Sequence, residues 1–154
     1  MFKPRIPFDP FFIIMQICAM QCTFYALYTF IVLVLDFLFK LPFSEEQISN
    51  FYVIALSNKY YLISSFAYLL AFSLLGIAYY FIIGKSRNAL DFISTTFILH
   101  VIFITIHSSF PIRLIWWIIS VILVIISTII AISISLTFEM QSINVDTTVL
   151  GQNV

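Results

Sequence analysis

The sequence predicts an all-α membrane protein: a bundle of four transmembrane helices with short loops and one interfacial amphipathic helix between spans 1 and 2. Three observations predict it. Of the 154 residues, 62% are hydrophobic and 9% charged, with a mean hydropathy of +1.11, so a soluble fold would expose far more apolar surface than a monomer tolerates. Uncharged runs recur four times, each long enough to cross a hydrocarbon core that takes roughly 20 helical residues. The runs are continuously apolar, whereas strands of a membrane barrel alternate apolar and polar over about ten residues.

The first span covers residues 11–35, fenced by Asp9-Pro10 and by Asp36. Its apolar length exceeds the about 7–15 residues of a cleavable signal core, and no small-residue cleavage site follows before Asp36, so it reads as a retained span. Residues 37–59 form the one sizeable loop. There Ser44 to Gln47 spells Ser-Glu-Glu-Gln, the pattern of a capping box in which Ser44 caps a helix start and Gln47 bonds back to it. Ile48, Phe51, Tyr52 and Ala55 then recur at helical spacing, the expected amphipathic helix on the membrane surface. The second span covers residues 60–83, between Lys59 and Gly84-Lys85. The third runs from 92 to about 110, after Asp91 and up to Pro111, whose missing N–H and ring clash stop a helix. Asp91 is placed to meet the unsatisfied N–H groups and positive dipole of a helix start. Ser108 and Ser109 can satisfy loose backbone groups in the Pro111 hairpin. The fourth span covers residues 114–138 and ends at Glu139, leaving a polar tail, 139–154, expected to be disordered. Trp116 and Trp117 fall where indoles favour the lipid–water boundary, with Arg113 beside them. A single integral membrane domain thus takes in residues 1–154, with a short N-terminal segment, 1–10, and no internal repeat.

Seven basic and seven acidic residues cancel, so no field points to a nucleic acid partner. With four spans, both termini and the 84–88 loop share one side, carrying Lys3, Arg5, Lys85 and Arg87. Lys40, Lys59 and Arg113 lie on the other, the first two beside Asp36, Glu45 and Glu46. The clustering of Lys85 and Arg87 in a tight loop favours cytosolic termini by a small margin.

The chain has two histidines, His100 and His107. Seven residues apart, they are separated by about 10.5 Å along a helix, too far for one metal ion, and a haem between helices would need a second axial ligand from elsewhere, with no third histidine in the chain. His100 is expected to be neutral and hydrogen-bonded inside the bundle, with Thr96 one turn earlier within reach, and His107 to sit near the interface. Cys18 and Cys22 are expected to be small buried packing residues, since neighbouring turns of one helix do not suit a disulfide. Amides in hydrocarbon need partners, and interhelical hydrogen bonds worth on the order of 1 kcal/mol are the usual solution for residues such as Gln16 and Gln21. Asp9, Asp36, Asp91 and Glu139 fall at span boundaries, which argues against a proton-coupled transporter. No catalytic constellation is visible, so the chain reads as a non-enzyme without cofactor or metal.

Several residues then align in order. An aromatic-Asp-Pro lead-in (Phe8, Asp9, Pro10) precedes a span carrying Gln16, Met20, Gln21 and Tyr25 and closed by Asp36. The segment GKSRNALDF, residues 84–92, is followed by Thr96, the pair Phe110-Pro111 and the pair Trp116-Trp117. Over residues 8–138 this pattern resembles the Sys-one family of Golgi integral membrane proteins. Phe8 stands where animal members carry tryptophan, the long loop aligns poorly, His107 lies outside the pattern and the tail has no match. The resemblance implies a four-span receptor in the trans-Golgi network membrane, both termini cytosolic, that recruits an ARF-related small GTPase with a modified N-terminus. Through it a further ARF-like GTPase and tethering golgins are engaged, supporting traffic between endosomes and Golgi. Under that reading an amphipathic segment of the GTPase inserts between helices beside membrane lipids, at Phe8, Asp9, Pro10, Gln16, Lys85 and Arg87. Gln21, Asp91, His100, Pro111 and Trp116 are expected to hold the bundle together. The alternative is a small four-span transporter or channel with a polar path through Gln16, Gln21 and His100.

Overall fold

The computed structural model describes residues 9–42, 44, 46–49, 59–108, 110–111 and 113–151. Within them α1 is Pro10–Phe39, α2 Glu46–Ser49, α3 Lys59–Ile82, α4 Ala89–Ser108 and α5 Leu114–Gly151, with a 3-10 turn, Ser86–Asn88, leading into α4. Four segments are long and apolar enough to cross a membrane: Pro10–Phe39, Leu62–Ile82, Ser86–Ser108 and Leu114–Gln141. The expected four-span helical class is therefore what forms.

α1 starts where the Asp9 carboxylate accepts the N–H groups of Phe11 at 3.0 Å and Phe12 at 3.3 Å. Pro10 takes the first helical position, where its missing N–H leaves nothing unsatisfied. The helix ends four residues later than the charge pattern suggests. Lys40 turns left-handed at φ 54°, the Leu41 N–H reaches the Asp36 carbonyl at 2.9 Å and the Lys40 N–H that of Phe37 at 3.4 Å, the two bonds of a Schellman closure. At 30 residues α1 is about 45 Å long, against a hydrocarbon core of about 30 Å. Asp36 is thus not a boundary residue facing water but is 3% exposed, its Oδ1 accepting from Gln47 Nε2 at 3.2 Å. Gln47 does not bond back to the Ser44 N–H, since its side-chain oxygen has no partner among the described residues; its backbone N–H meets the Ser44 carbonyl at 3.1 Å. The buried carboxylate is the stronger acceptor and draws the amide inward. Tyr28 OH adds a bond to the Gln47 carbonyl at 2.6 Å. Of the expected amphipathic helix, Phe51, Tyr52 and Ala55 lie outside the described residues.

Packing links α1 to α3 and α4, and α5 to α3 and α4, a ring in the order α1, α3, α5, α4. α1 and α4 run parallel, and α3 and α5 run antiparallel to them. Across the α3–α4 diagonal the centre is filled by rings rather than by backbone approach: Tyr68 with His100 at 5.6 Å, Phe72 with Phe97 at 6.4 Å and Tyr79 with Phe92 at 6.5 Å between centroids.

The inward stripe of α1 is Met20, Phe24, Tyr28, Val32 and Asp36, one residue every four. Cys18 and Cys22 fall off that stripe and are exposed thiols, not the buried packing residues expected. α5 turns Ser120, Ser127, Thr128, Ala131 and Ser135 inward and leaves Ile118, Val121, Ile122, Ile125 and Ile129 outside. Lipid is as apolar as leucine, so helices associate through small residues that let backbones approach. Gly76 on α3 shows the limit, since a Cβ there would lie 2.5 Å from the Ser127 carbonyl oxygen and 3.1 Å from Ile130 Cβ.

His100 is buried at 1% exposure, and its partner comes from α1: Tyr25 OH lies 3.1 Å from Nδ1. Thr96 instead donates to the Phe92 carbonyl of its own helix at 2.9 Å. Trp116 corrects the boundary expectation. It is 2% exposed and stacks on Phe97 at 6.1 Å, while Trp117 Nε1 donates to the carbonyl of buried Pro111 at 2.9 Å. Consecutive helical residues point about 100° apart, so an adjacent pair cannot both face the same surroundings. His107 is exposed near the end of α4.

Glu139 does not end α5, and the backbone stays helical to Gly151 where a disordered tail was expected. Its carboxylate is occupied across the bundle, accepting from the Ser86 N–H at 3.1 Å and the Ser86 hydroxyl at 2.8 Å, so its charge does not interrupt the helix.

Two stability predictions follow from this packing. Gly76→Ala drives a methyl into the Ser127 carbonyl and is expected to cost about 1–3 kcal/mol, read as a lowered Tm of the detergent-solubilised protein. Tyr25→Phe deletes one interhelical hydrogen bond with little change in packing, and the same measurement should show a smaller loss, about 0.6 kcal/mol.

Candidate partner groove

At the end of the bundle where α1 and α4 begin and α3 ends, the helices leave a cleft of about 810 Å³. Phe12, Ile13 and Ile17 of α1, Ile82 and Ile83 at the end of α3, and Phe92 of α4 form its apolar walls. Asp9, Lys85, Asn88 and Asp91 stand at the rim, with Gln16 and Thr95 deeper. Gln16 lies seven residues beyond Asp9 on one helix, so the cleft reaches roughly 10 Å along α1.

Local structure places each rim group. Capping holds Asp9 at the head of α1. Lys85 follows Gly84, whose φ of +65° suits a residue without a side chain, and the Lys85 carbonyl accepts from Tyr79 OH at 2.6 Å. The next residue, Ser86, is held by Glu139 from α5. Asp91 sits in the first turn of α4, where a carboxylate favours the dipole, but the helix starts two residues earlier and the side chain lines the cleft. Thr95 donates to the Asp91 carbonyl at 2.6 Å. Among the described residues, neither the Lys85 ammonium nor the Asp91 carboxylate has an ion-pair or hydrogen-bond partner.

The structure thus brings together Asp9, Gln16 and Lys85, three of the residues expected to meet a partner, and adds Asp91, expected to serve the bundle. Pro10 and Arg87 are exposed beside the cleft without lining it, and Phe8 lies outside the described residues. Gln21 is half-buried one turn before Tyr25, its side-chain oxygen buried without a hydrogen bond among the described residues. His100, Pro111 and Trp116 belong to the interior and are remote from the cleft. Sequence reasoning missed the walls. The i, i+4 pairs Phe12–Gln16 and Ile13–Ile17 were readable as neighbours on α1, but nothing local announces that the end of α3 closes the back. Among the described residues no group of three or more His, Cys, Asp or Glu side chains could hold a metal ion.

Comparison with known proteins places this architecture. A family model described as "Integral membrane protein S linking to the trans Golgi network" matches residues 5–145. The chain is 29% identical over 145 residues to "Protein SYS1 homolog" of Nematostella vectensis, covering 94% of this chain and 92% of that protein. It is 30% identical over 122 residues to "Protein SYS1 homolog" of Dictyostelium discoideum, 79% of this chain but about half, 53%, of that longer protein. No solved structure matches. With all four spans inside the matched region, the chain belongs to the SYS1 family of multi-pass integral membrane proteins.

Proposed function

We propose that this chain is a receptor in the trans-Golgi network membrane that recruits an ARF-related small GTPase, and that the groove between α1 and α4 takes the GTPase's N-terminal segment. The observation that carries this reading is the convergence of Asp9, Gln16 and Lys85 on one apolar-walled cleft at a single end of the bundle. An amphipathic segment lying in the interface needs an apolar trough for one face and polar groups along the edge of the other. Phe12, Ile17 and Ile83 provide the trough, and Lys85, Asn88 and Asp91 the edge. Placing this end in the cytosol agrees with the paired Lys85 and Arg87 in its tight turn, and with a GTPase that arrives from that side. The family's description, which names the trans Golgi network, supports the compartment. Recruitment there would support vesicle tethering and traffic between endosomes and Golgi. The transporter alternative is disfavoured by the core itself, because among the described residues Met20, Phe24 and Phe72 fill the bundle centre without exposed surface.

The test is replacement in cells lacking the endogenous chain. Phe12→Ala with Ile17→Ala, at normal protein level and location, should release most of the ARF-related GTPase to the cytosol. Arg113→Ala at the opposite end should leave it on Golgi membranes. Retention of the GTPase with the double variant would remove the groove from the reading.

Glu139 acts on the groove through Ser86 and makes a separate prediction. Glu139→Ala should speed amide hydrogen exchange at Ser86 about tenfold or more, the equivalent of a charge-assisted bond of about 1.5 kcal/mol, and should weaken GTPase recruitment less than the wall variants do.

A further inference from the structure

The mouth of the groove carries charges of both signs that the fold leaves unpaired. Lys85 and Asp91 are both exposed, both line the cleft, and among the described residues neither charged group has a partner. Asn88 adds an amide between them. The mouth lies where two apolar segments begin, α1 at Pro10 and the third at Ser86, the level at which a spanning helix meets lipid headgroups. Below the mouth the α1 wall is apolar and open to the bilayer, with Phe12 59% exposed.

We propose that this groove is a binding site for one phospholipid with a primary-amine headgroup, of the phosphatidylethanolamine type. Lys85 sits against the phosphate, the Asp91 carboxylate and the Asn88 carbonyl accept from the headgroup ammonium, and an acyl chain lies along Phe12 and Ile17. A zwitterion satisfies both free charges at once. A primary ammonium brings three N–H donors to the waiting oxygens, as a lysine does, whereas a choline headgroup has the charge and no donor. A phosphatidylglycerol offers no cation to Asp91, and a phosphatidylserine brings a further carboxylate toward Asp9 and Asp91. In the low dielectric of the interface these differences count for more than in water. The site stands apart from the receptor reading; under that reading the GTPase segment displaces the lipid on docking.

The experiment is native mass spectrometry of the purified full chain in detergent, offered equimolar phosphatidylethanolamine, phosphatidylcholine, phosphatidylserine and phosphatidylglycerol with identical chains. One phosphatidylethanolamine per chain should be retained at least fivefold over each competitor. Asp91→Asn should bring it down to the phosphatidylcholine level, and Lys85→Ala should lower retention of all four. The wild-type chain offered the mono- and dimethylated ethanolamine lipids should lose retention stepwise with each N–H removed, a readout independent of any variant's folding. Equal retention of ethanolamine and choline lipids, a preference that survives Asp91→Asn, or indifference to N-methylation would each overturn the proposal. Because no GTPase is present, its failure and the failure of the receptor reading are seen separately: selective lipid retention without GTPase recruitment sinks only the latter, and recruitment without selectivity only the former.

Discussion

Helices in hydrocarbon gain nothing by hiding apolar surface from one another, and the approach of α3 to α5 at Gly76 is where this constraint shapes the molecule most. With the Ser127 carbonyl so near that no Cβ fits between them, those two backbones meet at a distance that only glycine permits. α1 and α4 then close the ring around large side chains, Phe24 and Tyr25 of α1, Tyr68 of α3 and His100 of α4 filling the centre. α3 packs closely on both α1 and α5, while α4 meets its two neighbours more sparsely. The cleft lies between α1 and α4 at one end, beyond the contact of Tyr25 with His100, with the end of α3 as its back wall.

Two carboxylates act as latches, one toward each end of the bundle. At one end Asp36 accepts from Gln47, while Tyr28 reaches the Gln47 carbonyl, tying the short α2 to the bundle. At the other, Glu139 holds the Ser86 turn, which carries Lys85 to the groove. Asp36 lies one turn inside the end of α1 and Glu139 well inside α5, and each binds a segment outside its own helix. Among the described residues the Asp36 Oδ2 and Gln47 Oε1 atoms are buried without a hydrogen-bond partner, whereas both Glu139 carboxylate oxygens accept from Ser86.

A groove of this composition suits amphipathic visitors in general. Its depth is apolar and its rim is charged, the same division that an interfacial helix and a phospholipid each present. A receptor that meets its partner inside the membrane interface necessarily competes with lipid for the same surface. In the proposed receptor the charges at the rim would bear on which lipid waits there as well as on which segment replaces it.

Length, hydropathy and the punctuation of Asp, Pro and Gly determined the four spans to within a few residues at most ends, because whether a stretch crosses a bilayer is a local property. Asp9-Pro10 announced the start of α1 in the same way, through bonds that span three residues. Asp9, Gln16 and Lys85 were readable as candidates because they are polar groups near one end of their spans. Tertiary structure decided the rest. It buried Asp36 and Trp116, put Cys18 and Cys22 outside, carried α5 past Glu139, gave His100 its partner in Tyr25 and turned Asp91 toward the cleft. In a soluble protein an apolar stripe would have shown which faces turn inward; here lipid-facing and inward-facing sides are both apolar, so periodicity is nearly silent. Which faces meet, and therefore where a groove opens, depends on close approaches between helices far apart in the chain.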